Sequence, residues 1–152
     1  MLDYFSLLLA HGNKNMCYYR IHKNNWLGGI KMVEYKQGTI HCTRGDQGTL
    51  RFKHKVNGVP YTFKAGDKLV LTVKPKNGFD KEAVAMRITT TVTEPTEICP
   101  IVITKEDSTI GGLINKEVTY WYDVVLNEGQ TILGYDESGP KEFILYPESG
   151  DK

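Results

Sequence analysis

The acidic side chains with the most chemical scope are Asp107, Asp123, Asp136, Glu137 and Glu142, all in the last third of the chain. Two of them brought together would serve as a general acid and base, but no D-x-D-x-D-G spacing supports a calcium loop. Asp123 stands out because it lies inside an apolar-rich run, where a carboxylate must face water or find a donor. His41 and Cys42 are adjacent, so on a strand they point to opposite faces and cannot both ligate one metal. No zinc-ligand spacing is present, and Cys42 and Cys99 read as small apolar space-fillers. Arg44-Gly45-Asp46 spells a tripeptide that some adhesion receptors bind, yet Gly-Asp after a strand is also ordinary turn chemistry. Arg51, Lys53 and Lys55, joined by Lys64 or Lys68, form a basic row without the interleaved aromatics that a nucleic-acid surface needs. Trp121 is the side chain placed to stack on a sugar or a partner protein. With no nucleophile elbow, Walker loop or Rossmann glycine pattern, the expectation is a protein that is not an enzyme, with no metal and no cofactor. A small hydrolase using Asp123 or Asp136 as its acid is the remaining catalytic option.

The element that must position Trp121 and Asp123 is Glu117 to Leu126, EVTYWYDVVL. Period-two alternation puts Val118, Tyr120, Tyr122, Val124 and Leu126 on one face and Thr119, Trp121, Asp123 and Val125 on the other. The same alternation places Ile40 with Cys42, Leu50 with Phe52, His54 and Val56, and Leu69 with Leu71 and Val73. It also groups Val84, Met86, Ile88 and Val92. Asn57-Gly58 predicts a two-residue hairpin turn, and Pro75 to Lys81 reads as a loop. Pro100 marks its strand as an edge, a start or a bulge. Lys105 to Lys116 reads as a crossover holding at most one helical turn, and Lys141 to Tyr146 as the last strand. About eight strands spaced by roughly ten residues predict an all-β sandwich or barrel.

At 152 residues the chain has room for one core. Residues 1–38 carry five Lys/Arg against two Asp/Glu and residues 39–152 fourteen against sixteen, so the parts sum to a net +1 without a polyanion-binding balance. Three separated cysteines without a C-x-x-C pair argue against a disulfide scaffold, and no apolar run is long enough for a membrane-spanning helix. The domain is placed at 39–148, with an irregular N-terminal arm over 1–38 and a polar tail over 149–152. Gly28-Gly29-Ile30-Lys31-Met32 can be encoded as a purine-rich ribosome-binding site, a spacer and ATG, so two readings of 1–31 stand. They are a flexible arm, or translated upstream sequence with the natural start at Met32, and the intact mass of the native product separates them.

The order RGDQGTLRF, YTFKAGDKLVLTVK, ITKEDSTIGG, TYWYDVVL and TILGYDESGPKEFILYPE resembles small β-sandwich modules from tail and baseplate regions of phages and prophages of Gram-positive bacteria. In particular it resembles the N-terminal domain family of the baseplate upper protein. The matching motifs are Gly66-Asp67-Lys68-Leu69, Asp107-Ser108-Thr109 and Tyr120-Trp121-Tyr122-Asp123-Val124. The connection from Asp107 to Tyr120 is longer than the family pattern. The resemblance implies a virion structural protein acting through protein–protein contacts. It would dock on other tail or baseplate proteins, self-association being left open, with no nucleic-acid or membrane partner. Its location would be the host cytoplasm during assembly and then the tail. The rival reading is a carbohydrate-binding module using Trp121 and neighbouring tyrosines. The expected fold is an immunoglobulin-like β-sandwich of about seven to eight strands, in which Tyr120 or Tyr122 bonds upstream backbone as a tyrosine corner does.

Overall fold

The computed structural model describes residues 33–76, 83–137 and 139–148. The readings made for residues 1–31, the Met32 start, most of the Pro75–Lys81 loop and the 149–152 tail lie outside the described residues. The described chain opens on a hairpin in which β1 (Val33–Lys36) turns through Gln37 and Gly38, at φ 51° and 89°, into β2 (Thr39–Thr43). Val33 stands opposite Cys42 and Lys36 opposite Thr39. Val33–Lys36 therefore belong to the sheet, with Gln37 and Gly38 as its first turn, although they lie within the stretch expected to be arm. The reason this strand escapes notice is that β1 has no fully buried residue and so no alternation. Its place comes from the backbone ladder to β2.

Next come β3 (Gly48–Phe52) and a projecting hairpin of β4 (Lys55–Val56) and β5 (Val59–Pro60). That hairpin turns at Asn57-Gly58, with φ 51° and 81°, the positive-φ pair that matches strand twist. The alternation from Leu50 does not run through to Val56, which is 41% exposed. The chain leaves the β3 line after Phe52, and His54 alone of the later pair turns inward. β6 (Lys68–Pro75), β7 (Met86–Thr91) and β8 (Cys99–Ile103) follow. The crossover then makes one helical turn, α1 (Lys105–Ser108). The long strand β9 (Val118–Leu126), β10 (Gln130–Leu133), the two-residue β11 (Tyr135–Asp136) and β12 (Gly139–Tyr146) complete the chain.

The main sheet runs β1-β2-β12-β9-β6-β7, antiparallel except where β12 lies parallel to β2. β9 is its axis. β6 pairs along one edge, from Leu69 opposite Leu126 to Pro75 opposite Tyr120. The other edge is shared, β10 pairing with Val124 to Leu126 and β12 with Val118 to Tyr122. β10 and β12 thus form one line of chain interrupted by an outgrowth, in which Tyr135 pairs with Pro140 and Asp136 with Gly139. The Lys141 N–H donates to the Gly134 carbonyl at 2.9 Å and closes the base of that outgrowth.

The β3–β8 ribbon forms a second layer, β3 lying beside β1 and β8 beside β7, so the curled main sheet faces it across the core. Gly48 permits the β1–β3 approach, since a Cβ there would sit 2.7 Å from Val33. Leu69, Leu71 and Val73 of β6, Tyr122, Val124 and Leu126 of β9, and Phe143 and Leu145 of β12 meet Ile101 and Ile103 from the ribbon. Each such aliphatic side chain contributes roughly 1.5–3 kcal/mol by leaving water. The result is an all-β domain of a curled, mostly antiparallel sheet and smaller sheets, in the general sandwich or barrel class. Burial along β9 alternates as expected, with Tyr120, Tyr122, Val124 and Leu126 inward and Trp121 and Asp123 on the opposite face.

Candidate functional site

The residues singled out by sequence fall into two groups, those that fasten the fold and those that face outward. Gly66, at φ 94°, leads into Asp67, whose buried carboxylate accepts the Lys64 N–H at 2.8 Å, the Asn127 side-chain amide at 2.9 Å and the Tyr61 hydroxyl at 3.3 Å. The Asn127 carbonyl oxygen in turn accepts the Lys68 N–H at 2.9 Å. The turn before β6 is thereby fastened to the turn after β9. The Asn127 amide, then the Lys64 N–H, hold the Asp67 carboxyl below the usual carboxylate range.

Asp107 is equally structural. It closes a capping box with Thr104 at the start of α1, its carboxylate accepting the Thr104 N–H at 2.9 Å. Next to it, fully buried Ser108 donates to the Asp46 carbonyl at 2.5 Å, tying the crossover to the turn at Gly45-Asp46. In that turn the Arg44 side chain is only 11% exposed and pairs with Glu148 at 3.5 Å, so the tripeptide does not present its arginine to a receptor. Tyr120 packs edge-on to Phe143, the ring centroids 6.4 Å apart. The Tyr122 hydroxyl donates to the Gly38 carbonyl at 2.8 Å. Its acceptor lies 84 residues upstream, so this bond pins β9 to the β1–β2 turn instead of closing a local corner.

Cys42 and Cys99 are buried free thiols, pushed up by burial to about 12 and about 11, which keeps them protonated and inert. His41 lies on the other face of β2, its Nδ1 2.9 Å from the Tyr146 hydroxyl. Among the described residues no group of three His, Cys, Asp or Glu side chains comes together to hold a metal ion. Burial also lowers the pKa of His54, whose ring packs edge-on to Tyr61.

The outward face of β9 is different in kind. Trp121 stands beside Lys74 of β6 on one side and Glu142 of β12 on the other. Asp123, two residues on, pairs with Lys74 at 3.5 Å, while Glu142 pairs with Lys76 at 3.2 Å. The β11 outgrowth rises next to this face and makes one wall of a concavity of about 610 Å³. Its lining includes Trp121, Asp123, Lys74, Tyr135, Gly134 and Pro140. Gly134 makes the wall possible, because a Cβ there would lie 2.9 Å from that of Asp123. Tyr135 is 77% exposed, an aromatic held in water by the hairpin that carries it.

Sequence reading placed Trp121 and Asp123 on this face and missed Lys74, Tyr135 and the outgrowth. The available signal for the outgrowth was Tyr135 followed by the turn residues Asp136 to Pro140, an aromatic stranded beside a turn. Of the hydrolase option, Asp123 is in the concavity and is ion-paired with Lys74, an arrangement that spends the carboxylate on a lysine. No family model, no curated protein and no solved structure matches this chain.

Proposed function

We propose that the protein is a non-enzymatic structural module of a phage or prophage tail or baseplate, acting by docking on neighbouring tail proteins. It would assemble in the host cytoplasm and function in the virion tail, and its fold would be a variant of the immunoglobulin-like sandwich. The motif order described above motivates the phage context. The observation that carries the docking role is that large apolar side chains sit on projecting turns. Val56 and Val59 flank the β4–β5 turn at 41% and 65% exposure, and Leu113 on the crossover is 92% exposed. A docked partner would remove this apolar area from water. Two facing layers of mostly antiparallel β-structure support the immunoglobulin-like reading.

The test is co-expression with the products of neighbouring genes, followed by size-exclusion chromatography with light scattering. The expected result is a stoichiometric complex with a tail or baseplate protein, weakened by Val59→Asp or Leu113→Asp while the melting temperature of the isolated domain is unchanged. Metabolic gene neighbours together with no complex would overturn the proposal.

A further inference from the structure

We infer that the cleft between Trp121 and Tyr135 is a subsite for neutral sugar residues, a binding function separate from any assembly contact. Its size is the first reason. At about 610 Å³ it lies inside the roughly 300–1,000 Å³ range of small-ligand pockets. Eight of the described residues line it, whereas a standard protein–protein interface engages roughly 20–30 a side. A second copy of the chain or a globular partner would therefore leave most of its contact area outside the cleft.

Charge and backbone then narrow the occupant. Lys74 and Asp123 neutralise each other at 3.5 Å, and Lys76 and Glu142 do so at 3.2 Å on the other flank of Trp121. A cationic or anionic ligand would meet a like charge in each pair, whereas a neutral polyol can hydrogen-bond to both members at once. The Lys74 and Asp123 side chains are 34% and 29% exposed, so each retains atoms that can reach such a ligand. The ammonium donates to hydroxyl oxygens and the carboxylate accepts from hydroxyl hydrogens. The aromatic surface of Trp121 and Tyr135 complements the C–H faces of a pyranose, which bury apolar area without presenting charge. An extended peptide has little to hold here. β9 is already paired with β6 on one edge and with β10 and β12 on the other, so strand addition to β9 itself is closed.

The wall is also preformed. Pro140, with its ring-fixed φ, pairs with Tyr135, and the Lys141-to-Gly134 hydrogen bond closes the base. A sugar would find the site assembled, which limits the ordering cost of binding.

The experiment is a glycan array probed with the purified protein, followed by NMR titration with the best neutral hit. Chitotriose and maltotriose serve as the first titrants, sialyllactose as the anionic control and a nonaproline peptide as the peptide control. The expected result is that a neutral glycan shifts the Trp121 indole N–H, and that Trp121→Ala and Tyr135→Ala each weaken binding roughly tenfold or more. Tyr135→Ala is the safer variant for the fold because that side chain is mostly in water. The inference is overturned if no neutral glycan binds, if binding survives both variants unchanged, or if the anionic or peptide control binds in preference. Indole shifts that track protein concentration without added ligand would assign the cleft to self-association and overturn it equally. Loss of the tail-protein complex in the preceding experiment would not bear on this result, since its variants lie outside the cleft.

Discussion

Replacing Asp67 with alanine isolates the fastening between the turn before β6 and the turn after β9. The carboxylate accepts hydrogen bonds from the Lys64 N–H, the Asn127 amide and the Tyr61 hydroxyl. Hydrogen bonds to a charged group contribute about 1.5–3 kcal/mol each, and the bond at 3.3 Å belongs at or below the weak end. Taking the two short bonds at the low end, since water can reach part of the exposed turn once the carboxylate is gone, the loss is about 3 kcal/mol. For a domain of this size that lowers the melting temperature by roughly 10 °C.

The pH dependence makes the reasoning sharper than the magnitude does. The folded-state pKa of Asp67 is depressed by its hydrogen-bond donors, so its contribution is fully present above the unfolded value, about 3.9, and is lost as pH falls through the lower folded value. The gap in stability between wild type and Asp67→Ala should therefore be full at neutral pH and narrow progressively below about pH 4. Urea unfolding followed by tryptophan fluorescence at neutral pH and at successively lower pH measures this directly. Asp67→Asn, which keeps an acceptor for the Lys64 N–H but removes the charge, should fall between the two. A gap that stayed constant down to the lowest pH at which wild type folds would refute the assignment of the effect to the ionised carboxylate.

Three further outcomes follow from buried groups. Tyr122→Phe removes the donor to the Gly38 carbonyl and should cost about 1 kcal/mol in urea unfolding, whereas an unchanged midpoint would show that this bond does not hold the β1–β2 turn. Ser108→Ala leaves the Asp46 carbonyl without its buried donor, and a loss of about 1–2 kcal/mol is expected. In a Cys17→Ser background, Cys42 and Cys99, held at about 12 and about 11, should not react with Ellman's reagent at mildly alkaline pH until denaturant is added. Rapid labelling of the folded protein would contradict their burial.

What the sequence determined by itself is which side chains go in and which go out. Period-two alternation is a local property, and it grouped Tyr120, Tyr122 and Val124 on one face and Trp121 and Asp123 on the other before any neighbour was known. Turn chemistry is local too, which is why the Asn57-Gly58 hairpin and the single helical turn after Thr104 were legible. The tertiary structure decided who the neighbours are. A backbone ladder accepts almost any residue, so nothing in VEYK announces that Val33–Lys36 will pair with β2. Nor does anything in Asp67 name Asn127, 60 residues away, as its partner, or anything in Tyr122 name Gly38. The cleft has the same origin. Trp121 acquires Lys74 through the register of β6 on β9, and Tyr135 through an outgrowth that interrupts the line of β10 and β12. Faces are written in a strand's own period, whereas partners depend on long-range register, and that exists only once the whole sheet has closed.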